Sequence, residues 1–389
     1  MVIIYPLIAA AAVTLVYVLY RAQRLARRKN VPTIIVGNLT RRRQEYHGPR
    51  HVFFCFVDHF EPLWHGAGRE QGIERVEAWR ERYPILVDGC RDHGGVPPQH
   101  IFFYPQEEYI PECLDKLAEL QKRRFGEVEI HLHHDGDTSD GFRQKILSFR
   151  DTLHREHGLL HVDPASNSPV YAFIHGNWAL DDSGLRGRFC GVRDEITILK
   201  QTGCYADFTY PSAPDPTQPP IINRIYYATD DPQRPKSHHR GVDARYKSVP
   251  HGDLLLINGP LSFNWRRRKG GLFPAIENGD INGTNPGTAD RIDLWIRNAI
   301  SVTGWPRWIF VKVHTHGTQE RNSKLLLSER GTEMYRHLLT RYNDGDRYVL
   351  HFVTAWQIYR CVKVLEGGDD AEIARIESFD YDFERLWAR

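Results

Sequence analysis

The sequence predicts an α/β fold in which helices cover a parallel sheet and the chemistry sits at the carboxyl ends of the strands. Two observations carry this. Four apolar, strand-like runs end in histidines, carboxylates or other polar groups, as strands do where an α/β barrel or an open α/β sheet builds its site. Between and after them lie segments whose apolar residues recur at helical spacing, and strands alternating with helices argue for a parallel sheet covered on its outside. With 389 residues, 41% of them hydrophobic, and a net charge of +2, the chain has ample length for one large domain and no charge excess that would select a nucleic-acid partner. The cysteines Cys55, Cys90, Cys113, Cys190, Cys204 and Cys361 lack metal or disulfide spacing, the pattern of a reducing compartment.

In chain order, Val2 through Tyr20 contain no charge and are long enough to cross a bilayer as a helix. Arg21, Arg24, Arg27, Arg28 and Lys29 follow at once and nothing basic precedes them. The stretch therefore predicts an uncleaved single-pass anchor in the cell membrane, with residues 1–30 the transmembrane anchor and its basic flank, 31–48 a linker, and the domain of residues 49–389 on the cytoplasmic side.

The first strand-like run is His51-Val52-Phe53-Phe54-Cys55-Phe56-Val57, closed by Asp58, His59 and Glu61. The second, Glu127 to Asp137, is the most informative. Side chains alternate along a strand, so Val128, Ile130 and Leu132 share one face while Glu129, His131 and His133 share the other. A lone histidine there would read as a core group, but three His and two Asp in seven residues read as a metal or catalytic site. Phe142, Ile146, Phe149 and Leu153 then predict a helix stopped by Gly158. Val170 to Ile174 form a third run ending in His175, Gly176, Asn177 and Trp178. Val192, Ile196 and Leu199 mark the next helix, before Gly203. Residues 212–250 are polar and rich in proline, which predicts a long insertion near the mouth of the site. Asp290 reads as the cap of a helix through Ile292, Trp295, Ile296 and Ala299. Trp308 to His316 give the fourth run, with Lys312, His314 and His316 on one face. Thr354 caps a last helix carrying Ile358, Val362 and Leu365, ended by Gly367 and Gly368.

Other motifs drop out. A calcium loop from Asp135 would need Gly at its sixth position and Glu at its twelfth, where Asp140 and Ile146 stand. The basic run Arg266-Arg267-Arg268-Lys269 reads as a solvated loop. There is no glycine-rich phosphate loop and no nucleophile elbow, which counts against NTPases and serine hydrolases.

In order and spacing, the clusters at Phe56-Val57-Asp58-His59, Glu129-Ile130-His131-Leu132-His133, Asp194-Glu195-Ile196 through Pro211, and Val311-Lys312-Val313-His314 resemble the polysaccharide deacetylase-like (NodB-homology) group of the glycoside hydrolase/deacetylase superfamily, over roughly residues 50–320. The resemblance implies an irregular (β/α)7 barrel and a metal-dependent hydrolase that removes an N-acyl group from an amino sugar in a glycan or lipid-linked saccharide. It implies a divalent ion, zinc by its ligand chemistry, held by Asp58, His131, His133 and Asp137. Asp58 or Glu61 would take a proton from water and His314 would give one to the leaving amine. His175 and Asn177 would bind sugar hydroxyls, and Trp178, Tyr210 and Trp265 would stack on sugar rings. Where the family has two adjacent Asp in its first motif this chain has Asp58 and His59; from His133 the family's second His position holds Asp137; and the third motif's Arg and Pro are missing around His175. A glycoside hydrolase of the same superfamily, or a catalytically inactive barrel that binds glycans, are the alternatives.

Overall fold

The computed structural model describes residues 16–380 apart from 18–19, 22, 27–29, 42, 270 and 272. Its strands are β1 (Arg50–His59), β2 (His100–Pro105), β3 (Gly126–Leu132), β4 (His161–Asp163), β5 (Ser168–His175), β6 (Cys204–Asp207), β7 (Arg224–Ala228), β8 (Val242–Asp243), β9 (Leu254–Asn258), β10 (Ser262–Lys269), β11 (Phe273–Glu277), β12 (Trp308–Thr315) and β13 (Tyr348–Phe352). Around them lie helices α1 (Val31–Thr40), α2 (Arg69–Val87), α3 (Pro111–Lys122), α4 (Ser139–His157), α5 (Glu195–Thr202), α6 (Ala289–Arg297), α7 (Glu320–Leu326), α8 (Glu329–Tyr342) and α9 (Ala355–Gly367).

Eleven strands form one mixed sheet in the order β12-β1-β2-β3-β5-β6-β9-β7-β8, with β13 on β1 and β4 on β5, while β10 and β11 pair separately. This corrects the expected (β/α)7 barrel. The run from β12 to β9 is parallel, but antiparallel β7 takes the free edge of β9, and among the described residues no ladder joins β9 or β8 to β12 to close a ring. Both β7 and β8 arise within the proline-rich stretch 212–250, expected as an insertion without strands of its own. The sheet still curls. Phe53 and Val57 of β1, Phe103 of β2, Ile174 of β5, Ile257 of β9 and Phe310 of β12 meet in one buried cluster, which strands so far apart in the order reach only around a concave face. Phe54, Phe56, Val128, Ile130, Leu132, Val311 and Val313 point the other way and pack with the helices, so the alternation read along β1, β3 and β12 is what divides the two cores.

The membrane anchor is corrected as well. Among the described residues no helix is long and apolar enough to cross a membrane, and residues 1–15, most of the expected span, lie outside the described residues. A single-pass protein with its domain on the cytoplasmic side therefore has no support. The expected linker contains α1, whose Ile34 is buried with Ala213, Ile222 and Leu261.

The helices follow their sequence signals closely. Phe142, Ile146, Phe149 and Leu153 are the buried residues of α4, and Gly158 ends it at φ 65°. Thr354 caps α9 through a reciprocal pair of bonds with Gln357. The cap of α6 is Thr288, with Asp290 inside the first turn.

A pH response is built into the junction of β1 and β13. His51 Nδ1 and His351 Nε2 lie 2.9 Å apart, and both rings are buried. Burial, then the neighbouring Arg307 and His93, lowers His51 to about 4; burial, then His51 and His93, holds His351 well below the ordinary range. Both folded values lie under the unfolded value of about 6.5, so this stability is present above that pH and is lost as pH falls through it toward about 4. For His51 alone the loss amounts to about 3 kcal/mol. Thermal unfolding measured across that window should show Tm falling less steeply for the His51→Gln, His351→Gln double variant than for the unaltered protein; equal slopes would refute the assignment.

Candidate metal centre

On β1 the inward positions are Phe53, Cys55 and Val57, and the next is His59. Asp58 therefore faces the helices. Its Oδ2 accepts from His100 Nε2 at 2.7 Å and its Oδ1 from the Gly317 amide at 2.6 Å; a Cβ on Gly317 would come within 2.0 Å of that carboxylate, so the contact requires glycine. Asp58 is thus a buried brace between β1, β2 and the segment after β12, and the structure does not bring it to the ligand set expected for it.

Glu61, just beyond β1, takes that place. Its Oε1 lies 3.5 Å from His131 Nε2 and 3.4 Å from His133 Nε2, and its Oε2 lies 3.6 Å from His316 Nδ1. The His59 ring stands 5.1 Å from that of His131 and 4.6 Å from that of His316. The backs of the imidazoles are held. His131 Nδ1 donates to the Ile174 carbonyl at 2.7 Å, which leaves Nε2 as a lone pair toward Glu61. His133 Nδ1 meets Glu107 Oε1 at 2.5 Å, and the His133 amide donates to the same oxygen at 3.1 Å. A ring nitrogen tied to a carbonyl or carboxylate while the other faces inward is the arrangement that orients metal-binding histidines.

Three buried atoms at the centre, Glu61 Oε2, His131 Nε2 and His316 Nδ1, have no hydrogen-bond partner, a costly state unless something else engages them. Burial raises the Glu61 pKa, but the imidazoles of His131, His133 and His316 around it outweigh that and hold the carboxyl well below its usual range. Burial, with the nearby His133, keeps His131 neutral by lowering its pKa. The Glu61 carboxylate and the ring nitrogens of His131 and His133, with ligand atoms within 4.8 Å of one another, could hold a metal ion. Glu107 is the orienting partner of His133, so Glu107→Ala should weaken metal binding about 10–100-fold in a competition titration with a chromophoric chelator. An unchanged affinity would show that the contact orients nothing.

Beside the centre a cleft of about 620 Å³ is lined by His314, His316, Trp178, Asp280, Asn278 and Asn322, with Pro211 to Pro216 at its rim. The start of the proline-rich stretch thus lies at the rim of this cleft. Of the other residues singled out from sequence, His314 and Trp178 reach this cleft. Asn177 is exposed on the turn after β5. Tyr210 is 1% exposed and its hydroxyl engages the Trp178 carbonyl and His238 Nε2 at 3.1 and 2.9 Å, so it supports Trp178 from beneath and has no face for a sugar. Trp265 is exposed on β10. Asp137 accepts from Lys145 at 2.7 Å and lies 3.3 Å from His134 Nδ1, away from the His131 and His133 pair.

Two further groups bring metal-binding residue types together: His134, His175, Cys190 and Glu195, and Glu127, Glu129 and His161. The latter is a satisfied hydrogen-bond network. Glu127 accepts from His161 and the Trp356 amide, and Glu129 from Tyr205 and the Ala172 amide. Sequence reasoning passed over Glu107, although His100 to Pro105 is another apolar run that ends in carboxylates and carries the same signal as the four strands that were read. No known family model matches the chain, and no curated protein matches it either.

Proposed function

We propose that this protein is a zinc-dependent hydrolase that cleaves the N-acyl amide of an amino sugar in a glycan or lipid-linked saccharide. The observation that carries the reading is the Glu61, His131 and His133 donor set, with its unpartnered buried atoms, at the edge of a polar cleft. The order of motifs that resembles the NodB-homology group adds to it. Glu61, His131 and His133 would hold the ion, which when bound would supply a Lewis acid able to polarise an acyl carbonyl and acidify water.

The chain's own groups do the rest. Glu61 is committed to the centre and Asp58 is turned away, so Asp280, the carboxylate on the cleft wall beside His314 and His316, takes the proton from water. Burial lowers the His316 pKa but Glu61 beside it raises it further, so His316 gives a proton to the leaving amine, with His314 next to it in the cleft. Trp178 offers a half-buried ring in the cleft for a sugar face, fixed from behind by Tyr210. Asn278, Asn282 and Asn322 line the same space and suit sugar hydroxyls. The second reading, a protein that binds glycans without hydrolysing them, is favoured by one observation: the aspartate that the family motif would use as base is occupied by His100 and Gly317.

Elemental analysis of the purified chain together with a screen of N-acylated amino sugars, read by release of free amine, decides between them. Stoichiometric metal with amine release that stops on chelation and returns with zinc supports the hydrolase. Metal and glycan binding without amine release from any member supports the second reading, and a cleft site that takes up no metal refutes the hydrolase.

A further inference from the structure

The residue after His133 turns to the opposite side of the chain and enters a different cluster. His134, at the end of β3, His175, the last residue of β5, Cys190, in the loop before α5, and Glu195, the first residue of α5, are all buried, and each offers a ligand atom within 4.8 Å of the others. His175 is 0% exposed and Glu195 0% exposed. The hydrogen bonds around the four leave one atom of each turned inward. Glu195 Oε2 accepts from the Asp181 amide at 2.5 Å, which leaves Oε1 3.3 Å from His134 Nε2 and 3.4 Å from His175 Nε2.

His175 Nδ1 lies 2.5 Å from the Gly176 carbonyl oxygen, an acceptor only, so Nδ1 carries the ring proton. Nε2 of the neutral ring is then a bare lone pair facing a carboxylate oxygen, acceptor against acceptor, and it has no hydrogen-bond partner. Such a buried contact is unfavourable unless the ring is doubly protonated in a site of zero exposure or a cation lies between the two. Cys190 Sγ accepts from the amides of Asp182 and Val192, each at 3.4 Å, and as a thiol whose pKa burial and then Glu195 push far up it lies 3.4 Å from Glu195 Oε2 and from the Val192 carbonyl oxygen; a cation bound here would displace that proton. His134 Nδ1 lies 3.3 Å from Asp137 Oδ2, a carboxylate behind a metal-facing imidazole.

We propose that His134, His175, Cys190 and Glu195 bind a second zinc ion, structural and closed off from substrate. Two imidazoles, a thiolate and a carboxylate are a four-ligand zinc set with no protein position left open. One thiolate and one carboxylate neutralise a divalent cation, so the buried group carries no net charge, which is the condition under which burial is tolerable. The ion ties the ends of β3 and β5 to the start of α5. It also braces the cleft-side centre, because His133 follows directly in the chain from that strand end and packs on Gly176, where an added Cβ would lie 2.3 Å from the His133 ring.

The test uses the full chain and reads metal, independently of hydrolysis. The purified protein should hold close to two zinc ions, and the His131→Ala, His133→Ala double variant should keep one. Cobalt-loaded protein should show a thiolate-to-cobalt charge-transfer band in the near ultraviolet, since Cys190 is the sole sulfur in either centre. That band should persist in the double variant and vanish in Cys190→Ser. X-ray absorption at the zinc edge of the unaltered protein should show one sulfur neighbour at about 2.3 Å for every two ions. Cobalt-loaded protein without the band, zinc with only nitrogen and oxygen neighbours, or a double variant free of metal would each overturn the proposal. The unaltered protein supplies the deciding spectra, so the result stands even if Cys190→Ser fails to fold. A retained band beside absent hydrolase activity would sink the proposed reaction and leave this ion in place.

Discussion

His131→Ala combined with His133→Ala should strip the cleft-side ion and lower amide hydrolysis by on the order of 10³-fold or more, because a Lewis acid contributes several kcal/mol of transition-state stabilisation. The fold should survive. His131 gives up one hydrogen bond to the Ile174 carbonyl, which costs about 1 kcal/mol, and His133 is only half-buried, while the apolar face of β3 keeps Val128, Ile130 and Leu132 in the helix-side core. Glu61 then stays as a buried carboxylate with His316 as its remaining imidazole neighbour, so the variant has neither the donor set nor a compact substitute. Metal content by mass spectrometry and circular dichroism on the same preparation check both halves. Full occupancy at the cleft site in this variant would move the ligands elsewhere, and His59 with His316 would be the first place to look.

The second large effect concerns stability. Arg291 on α6 is fully buried and bidentate to Glu277, with Nε and Nη2 each 2.7 Å from a carboxylate oxygen. The guanidinium also donates to the carbonyls of Asn285, Pro286 and Asp280. Glu277 in turn accepts from Trp295 Nε1 at 2.9 Å and from the Gly279 amide at 3.1 Å. One ion pair therefore organises the whole turn from Gly279 to Pro286, which carries Asp280 into the cleft. Arg291→Ala leaves Glu277 buried and its charge unpaired and should cost about 3–5 kcal/mol, read as a shift of the denaturant midpoint. Arg291→Lys should recover little, since an ammonium cannot reproduce the fork. A loss under 1 kcal/mol would mean that the turn holds its shape without the pair. The carboxylate of Asp280 depends on this scaffold for its position, so amide hydrolysis should fall in Arg291→Lys even at temperatures where the variant is folded.

Much of this arrangement is legible in the chain before it folds, and the failures have physical causes. Alternation along Val128 to His133 places His131 on the inward face, and helical spacing finds α4 and α9 with their stops. The same alternation rule, applied from Cys55 and Val57, turns His59 inward and Asp58 outward; the family resemblance implies the aspartate instead, because a motif matches residue type and not strand face. Antiparallel β7 and β8 are hidden because five residues between prolines and polar loops carry little period, and what makes them strands is the free edge of β9. Cys190 and Glu195 lie far from His134 in sequence and share no spacing motif with it, so only the folded chain brings the start of α5 to His134 and His175. Glu107 follows the apolar run His100 to Pro105 and so carries the same signal as the polar ends of β1, β3, β5 and β12.

The last strand of the sheet, β8, is only Val242 and Asp243. An open sheet offers unpaired amides and carbonyls along its outer strands, and a long, apolar border of that kind recruits other chains into aggregates. Here the border tapers from the five residues of β7 to two, with Asp243 engaged by Arg224 and Thr303. The proline-rich stretch thus gives the open end of the sheet a blunt, charged margin on which a second copy finds almost no ladder to extend.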